Sequence, residues 1–292
     1  MPVANALPAG PFADLDRAAL AARHPDIFRP TLRMRLVVVG ILLALVALFV
    51  FGLWRLEFSA TRILSGLGQL GTFAVLMLPP DPGSWSRFWL FLHGLAETLA
   101  IAFLGTLLAA TLALPFGFLA ARNVVPNWIF HFGLRRFLDT LRGVDTLIWA
   151  LVWINVVGLG PFAGVLAIMS SDFGAFGKLF SEAIETADRK PVEGVVSAGG
   201  SRLHEVRFGL LPQVLPVILS QVLYYFESNT RSATIIGIVG AGGIGLHLSE
   251  AIRTLEWQQV SALVLMILVT VSALDWLSTR LRFAVIGRRA AP

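Results

Sequence analysis

The sequence predicts an all-α, polytopic membrane protein of about six spans, and three observations predict it. Of 292 residues, 56% are apolar and only 14% are charged, against roughly 25% charged in an average soluble domain. The mean hydropathy is +0.77, more hydrocarbon than a water-soluble globule of this length can hide. The charges gather in short clusters between uncharged runs, so the net charge of +5 and the pI near 10.6 belong to loops, not to a nucleic-acid surface. The absence of cysteine excludes a disulfide scaffold, thiolate catalysis and cysteine-bound zinc. The first 30 residues mix Asp14, Asp16, Arg17, Arg23 and Asp26 without an apolar core and are not a cleavable signal peptide.

A spanning helix needs about 20 apolar residues. Residues 36–54 supply the first, with Trp54 as an interfacial anchor. Residues 98–121 form the second behind Glu97; Glu97 here, and Asp145 before the third span, stand where acids cap helix N-termini. Residues 146–171 allow one steep span or two short ones. Gly158, Gly160 and Pro161 break a helix in the middle, so the run reads as a tight hairpin whose second arm continues to about Phe180. Residues 211–226, interrupted by Pro212 and Pro216, are the fifth span; the sixth starts near Trp257 and continues past Asp275.

Residues 63–80 are ambiguous: uncharged, but with Gly66, Gly68 and Gly71 and a Pro79-Pro80-Asp81-Pro82 end. Six spans with a cytoplasmic N-terminus put 18 Lys and Arg inside against 5 outside; a seventh span at 63–78 makes it 15 against 8. The positive-inside bias therefore favours six spans and two cytoplasmic termini. The expected organisation is an N-terminal segment over 1–35, a membrane domain over 36–282 and a tail over 283–292. The longest hydrophilic stretch between spans, about 178–210, lies inside between spans four and five and invites a soluble partner.

Gly240-Ala241-Gly242-Gly243-Ile244-Gly245 matches G-x-G-x-x-G, and residues 234–239 before it could pass for a strand. No βαβ unit follows, so a dinucleotide site lacks its context. Glycines that let helices approach, or let backbone turn beside a cavity, are the alternative. Residues 193–212 carry more. They read as a short helix, a break at Gly199 and Gly200, a second short helix capped by Ser201 with Leu203, Val206 and Leu210 on one face, then Pro212 at the start of a span. Such a helix-turn-helix is either a dock for a groove on a partner or a solvated connector.

The order Glu193, two small residues, Gly199, then Leu211-Pro212 resembles the cytoplasmic coupling motif of ABC importer permeases. The family's two alanines are Gly194 and Val195 here, and its isoleucine is Gly209. Glu97 with Thr98, Arg142-Gly143, residues 147–150, 158–164 and 178–184, and Asn229 to Thr234 with its glycine-rich continuation resemble the phosphonate-importer branch. The likeness runs from about Gly94 to Arg282. It implies a homodimeric permease of the bacterial inner membrane, surrounded by lipid, that imports a phosphonate or a related small phosphorus oxyanion. Each copy would dock one ATP-binding subunit through 193–208, with Glu193, Gly199, Gly200, Ser201, Arg202, Leu203, Val206 and Pro212 as its coupling residues. A periplasmic or lipid-tethered phosphonate-binding protein would load the outer mouth. ATP and Mg would belong to the partner subunit, since this chain carries no G-x-x-x-x-G-K-[ST] loop; the chain itself would be a transport subunit without a bound cofactor.

Glu227 and Arg231, four apart near the outer end of span five, are either a structural ion pair or an anion site in which Glu227 holds Arg231 until substrate arrives. With an anionic solute, Arg231, the hydroxyls of Ser232 and Thr234 and backbone N–H groups around Gly240, Gly242 and Gly243 are the candidate pathway. Asp275, near the inner end of span six, should pair with Arg280 or another span. The five histidines are scattered without an i,i+4 pair for a metal. Two alternatives stay open: the same architecture serving methionine or phosphite, and a polytopic enzyme such as a lipid phosphotransferase. The latter needs clustered acids or histidines on one membrane face.

Overall fold

The computed structural model describes residues 32–286, and all its regular elements there are helical. The expected N-terminal segment up to residue 31 and the tail beyond 286 lie outside the described residues. The chain divides into two units, residues 1–71 and 72–292. In the first, α1 (Leu32–Arg55) is a 24-residue helix with no buried side chain, long and apolar enough to cross a membrane. It is followed by the start of α2 (Ala60–Leu76), where Arg62 pairs with Glu57 at 3.5 Å. The segment left ambiguous by composition is therefore helical, but it is not long and apolar enough to count among the candidate spans.

The second unit holds α3 (Trp85–Leu119), α4 (Trp128–Arg142), α5 (Thr146–Val157), α6 (Pro161–Glu185), α7 (Arg189–Ser197), α8 (Arg202–Ile238), α9 (Ile244–Arg253) and α10 (Trp257–Ile286). Among the described residues five helices are candidate spans, α1 of the first unit and α3, α6, α8 and α10 of the second, and a sixth follows if α4 and α5, bent by 83°, count as one broken span. Several expected boundaries move. Span two begins thirteen residues earlier, because Ser84 caps α3 by accepting from Arg87 N at 3.2 Å. Glu97 consequently lies inside α3 and caps nothing. Asp145 does cap α5, accepting from Leu147 N at 2.8 Å. The connection after span two forms α4, and α5 alone is too short to cross a bilayer. The hairpin break falls as expected at Gly158 and Gly160, both at positive φ.

Lipid supplies no hydrophobic force between helices, so close backbone approach has to hold the bundle. Gly105, Ala109, Ala113 and Gly117 make a stripe at every fourth residue of α3, and all four are buried. A Cβ at Gly105 would lie 2.7 Å from Ile168 Cβ, and one at Gly117 2.7 Å from Phe180 Cβ, so α6 rides directly on that stripe. On its other side α6 admits α4 the same way: a Cβ at Gly177 would sit 2.7 Å from Leu138 Cδ2. Arg135 to Glu185 at 2.8 Å and Lys178 to Asp139 at 3.0 Å then tie α4 to the end of α6. The core is apolar, with Phe176, Phe180 and Ile184 stacked against Val214 and Ile218 of α8.

Candidate functional site

The segment between α6 and α8 is built to stay outside the core. Asp188 caps α7, accepting from Lys190 N at 3.1 Å, and none of the nine residues of α7 is buried. The helix ends in a Schellman motif: Gly199, at φ +79, donates to Val196 O at 2.9 Å, and Gly200 donates to Val195 O at 3.0 Å. Ser201 is the N-cap of the next helix, its N–H donating to His204 Nδ1 at 3.2 Å. That second arm is not a separate helix. It runs through the π-helical residues Glu205–Leu210 into the span, giving one helix from Arg202 to Ile238. The widened turns accommodate Pro212, which has no N–H to donate and whose ring crowds the carbonyl one turn back. Pro212 and Pro216 thus lie within a continuous helix and do not interrupt it.

Leu203, Val206 and Leu210 share one face, lining a cavity of about 560 Å³ with Val192, Glu193 and Arg202. Leu203 is 81% exposed, whereas Leu210 is buried. Gln213 clamps this segment to the base of α8: its Nε2 donates to Asp188 O at 3.0 Å and Gly209 O at 2.6 Å, and its Oε1 accepts from Asp188 N at 3.0 Å. Gly209 permits the close fit, since a Cβ there would lie 2.9 Å from Val192 Cα.

Helix α8 carries a second group of charged and polar side chains, apart from the ion pairs between α4 and α6. It continues to Ile238, eleven residues beyond Glu227 and seven beyond Arg231. Glu227 accepts from two arginines, Arg231 Nη1 at 3.4 Å and Arg282 Nη2 of α10 at 3.0 Å. Two residues on from Glu227, Asn229 donates to Thr106 Oγ1 of α3 at 2.8 Å and to Asp172 Oδ2 of α6, all three side chains being buried. This network joins three helices. Ser232 is half-buried and Thr234 buried, donating to Thr230 O at 3.1 Å. Asp275 is exposed and in no ion pair among the described residues, while Arg280 lies over the Trp276 ring at 5.1 Å; the expected Asp275–Arg280 pair does not form.

Residues 234–238 are helix, not strand, and the glycines after them are packing devices. Gly240, Gly242 and Gly243 all have positive φ. A Cβ at Gly242 would lie 2.8 Å from Glu97 Oε1 and 2.9 Å from Pro161 N; one at Gly243 would overlap Thr98 Oγ1, and one at Gly245 would overlap Thr234 O. Thr98 Oγ1 accepts from Ile244 N at 2.8 Å and donates to Gly94 O at 2.9 Å. The N–H groups of Gly240 and Ala241 go to Gly237 O and Ile236 O. Three of the loop's backbone donors are thus already engaged and do not meet a solute.

Asp172, Gln213 and Arg282 are absent from the candidates raised by sequence. Asp172 interrupts the apolar run of the fourth span, a signal that was available. Arg282 and Gln213 acquire their roles only through partners 55 and 25 residues away.

Comparison with known proteins agrees with this architecture. Residues 113–287 match the family described as binding-protein-dependent transport system inner membrane component. HtxC of Stutzerimonas stutzeri, named as a phosphite transport system permease protein, is 39% identical over 94% of this chain and 95% of its own length. PhnE2 of Escherichia coli (strain K12), named as a cryptic phosphonate transport system permease protein, is 52% identical over 40% of this chain and 97% of its own length. Among solved structures, an inward-facing MetNI methionine ABC transporter chain shares the fold, with a TM-score of 0.60 at 20% identity over 69% of this chain and 99% of that one. The chain therefore belongs to the binding-protein-dependent transport system inner membrane components, the membrane-spanning permeases of ABC transporters.

Proposed function

We propose that this permease imports a phosphonate or a related small phosphorus oxyanion as a homodimer in the bacterial inner membrane, each copy driven by one ATP-binding subunit. The observation that carries the coupling half of this reading is the exposed α7 and the open face of Leu203, Val206 and Glu193 beside a cavity of about 560 Å³, clamped by Gln213 to a helix that runs on into the bundle. A push on that face is transmitted along α8, which carries Glu227, Asn229 and Arg231. Glu193, Gly199, Gly200, Ser201, Arg202, Leu203, Val206 and Pro212 form or shape this dock. The substrate half rests on the phosphite and phosphonate names of the relatives and on an arginine pair around one carboxylate at membrane depth. A guanidinium there binds an oxyanion through paired N–H groups.

ATP and Mg act on the partner subunit, and a periplasmic or lipid-tethered binding protein delivers the solute. Both termini face the cytoplasm, residues 36–282 making the membrane domain. The test is ATPase activity of the permease with its ATP-binding subunit in nanodiscs, adding the binding protein with methylphosphonate, phosphite, phosphate or methionine. Stimulation only by binding protein loaded with a phosphorus oxyanion is the expected result. Stimulation by methionine alone overturns the substrate class, and failure to form any complex with an ATPase overturns the coupling reading.

A further inference from the structure

Beside the arginine–glutamate cluster lies an open cavity of about 370 Å³, lined by Leu179 of α6, Ser220, Gln221, Tyr224 and Tyr225 of α8, and Arg282 of α10. Its volume falls within the roughly 300–1,000 Å³ of small-molecule sites. Its polar atoms are largely unspent. Arg282 uses Nε on Ser278 O and Nη2 on Glu227 and Thr279, and among the described residues nothing accepts from its Nη1. The hydroxyls of Ser220, Tyr224 and Tyr225 have no hydrogen-bond partner among the described residues, and Gln221 Oε1 is buried without one. Tyr224 is exposed and Ser220, Tyr225 and Arg282 are half-buried, so these free donors around a guanidinium are open to an acceptor-rich occupant. The charge agrees: Arg231 and Arg282 bring two positive charges to the single carboxylate of Glu227, leaving one in excess.

We infer that this cavity, resting on the transport reading above, is where Arg282 of that arginine pair binds a tetrahedral phosphorus oxyanion. It is held by Arg282 with the hydroxyls of Ser220, Tyr224 and Tyr225. Arg282 stands in the last turns of α10 and Ser220 in the first half of the α-helical part of α8. With cytoplasmic termini, the site lies in the inner half of the membrane, where a solute is held before release. A phospholipid headgroup offers the same chemistry from the inner leaflet.

The experiment measures binding of radiolabelled methylphosphonate and phosphite to the assembled permease–ATPase complex, in nanodiscs of phosphatidylcholine alone or with phosphatidylglycerol. Native mass spectrometry counts retained lipid. Arg282→Gln should weaken oxyanion binding by about tenfold or more, the scale of one lost charge-assisted contact. Tyr225→Phe should weaken it by about twofold to fivefold. Retention of phosphatidylglycerol by the wild type but not by Arg282→Gln, without free oxyanion binding, assigns the site to the headgroup. Wild-type affinity for both ligand classes in Arg282→Gln, or no binding of either class to the wild type, overturns the site. If Arg282→Gln does not assemble, a Tyr224→Phe/Tyr225→Phe pair carries the same comparison. Uptake by intact cells separates the two readings: wild-type uptake with unaltered Arg282→Gln binding sinks the cavity and leaves transport standing. Absence of phosphorus-oxyanion uptake sinks the transport reading while the lipid measurement still reports on the cavity.

Discussion

The coupling segment and the glycine loop after α8 are both glycine-rich breaks between helices, and the chain uses the residue for opposite purposes in them. A Cβ at Gly194 or Gly199 meets nothing within 4 Å, whereas one at Gly242, Gly243 or Gly245 runs into another helix. In the coupling segment Gly194 and Gly199 leave their surroundings open for a partner, while Gly200 and Gly209 pack within the same segment, against Val195 and Val192. In the loop glycine removes side chains so that α3, α6, α8 and α9 converge. A glycine motif therefore says little until its neighbours are known.

Substitutions sharpen the contrast. Gly245→Val places a branched side chain against Thr234 O, and such overpacking costs about 3 kcal/mol or more; little monodisperse permease should survive detergent size exclusion. Gly243→Ala adds a positive φ to an overlap with Thr98 Oγ1 and should lower the melting temperature clearly, at about 2 kcal/mol. If both variants purify and melt like the wild type, the loop is not tightly packed and the comparison breaks.

On the other side, Glu193→Lys alters an exposed residue and should leave melting unchanged while greatly reducing recovery of the ATP-binding subunit in co-purification. Undiminished recovery would remove Glu193 from the dock. Gly199→Ala strains a φ of +79 in open space, costing roughly 1–2 kcal/mol confined to the Schellman turn. Its signature is a loss of coupled ATPase activity larger than the loss of thermal stability. Gly194→Ala, inside α7 with room for a methyl group, should strengthen that helix by about 0.5–1 kcal/mol, visible as slower amide exchange over 189–197.

Spans were legible in the sequence because twenty apolar residues in a row have few other uses, and the hairpin because Gly158, Gly160 and Pro161 stop a helix in any context. The coupling segment was legible as a pattern of Glu193, Gly199 and Pro212, though not in its continuity with α8, which a π-helical stretch ahead of Pro212 makes possible. The interior was harder to read. The stripe from Gly105 to Gly117 is visible in the sequence, yet only Ile168 and Phe180 opposite give it meaning. Asp172 finds its partner 57 residues away on Asn229, and Glu227 its stronger partner 55 residues away on Arg282. Local spacing pointed to Arg231 as the mate of Glu227, and the tertiary fold supplied the second.

The order in which Glu227, Arg231 and Arg282 are made bears on how the protein enters the membrane. A lone arginine or acid costs about 2.5–3.5 kcal/mol at the centre of a span and less near its ends, where Arg282 stands. Helix α8 is synthesised first and brings Glu227 and Arg231 one turn apart, already neutralising each other. Arg282 is made 51 residues after Arg231, near the end of α10, and reaches the free oxygen of a carboxylate already in place. The last span thereby docks onto a carboxylate that the span before it already carries, and a chain ending before residue 282 would still hold the balanced Glu227–Arg231 pair.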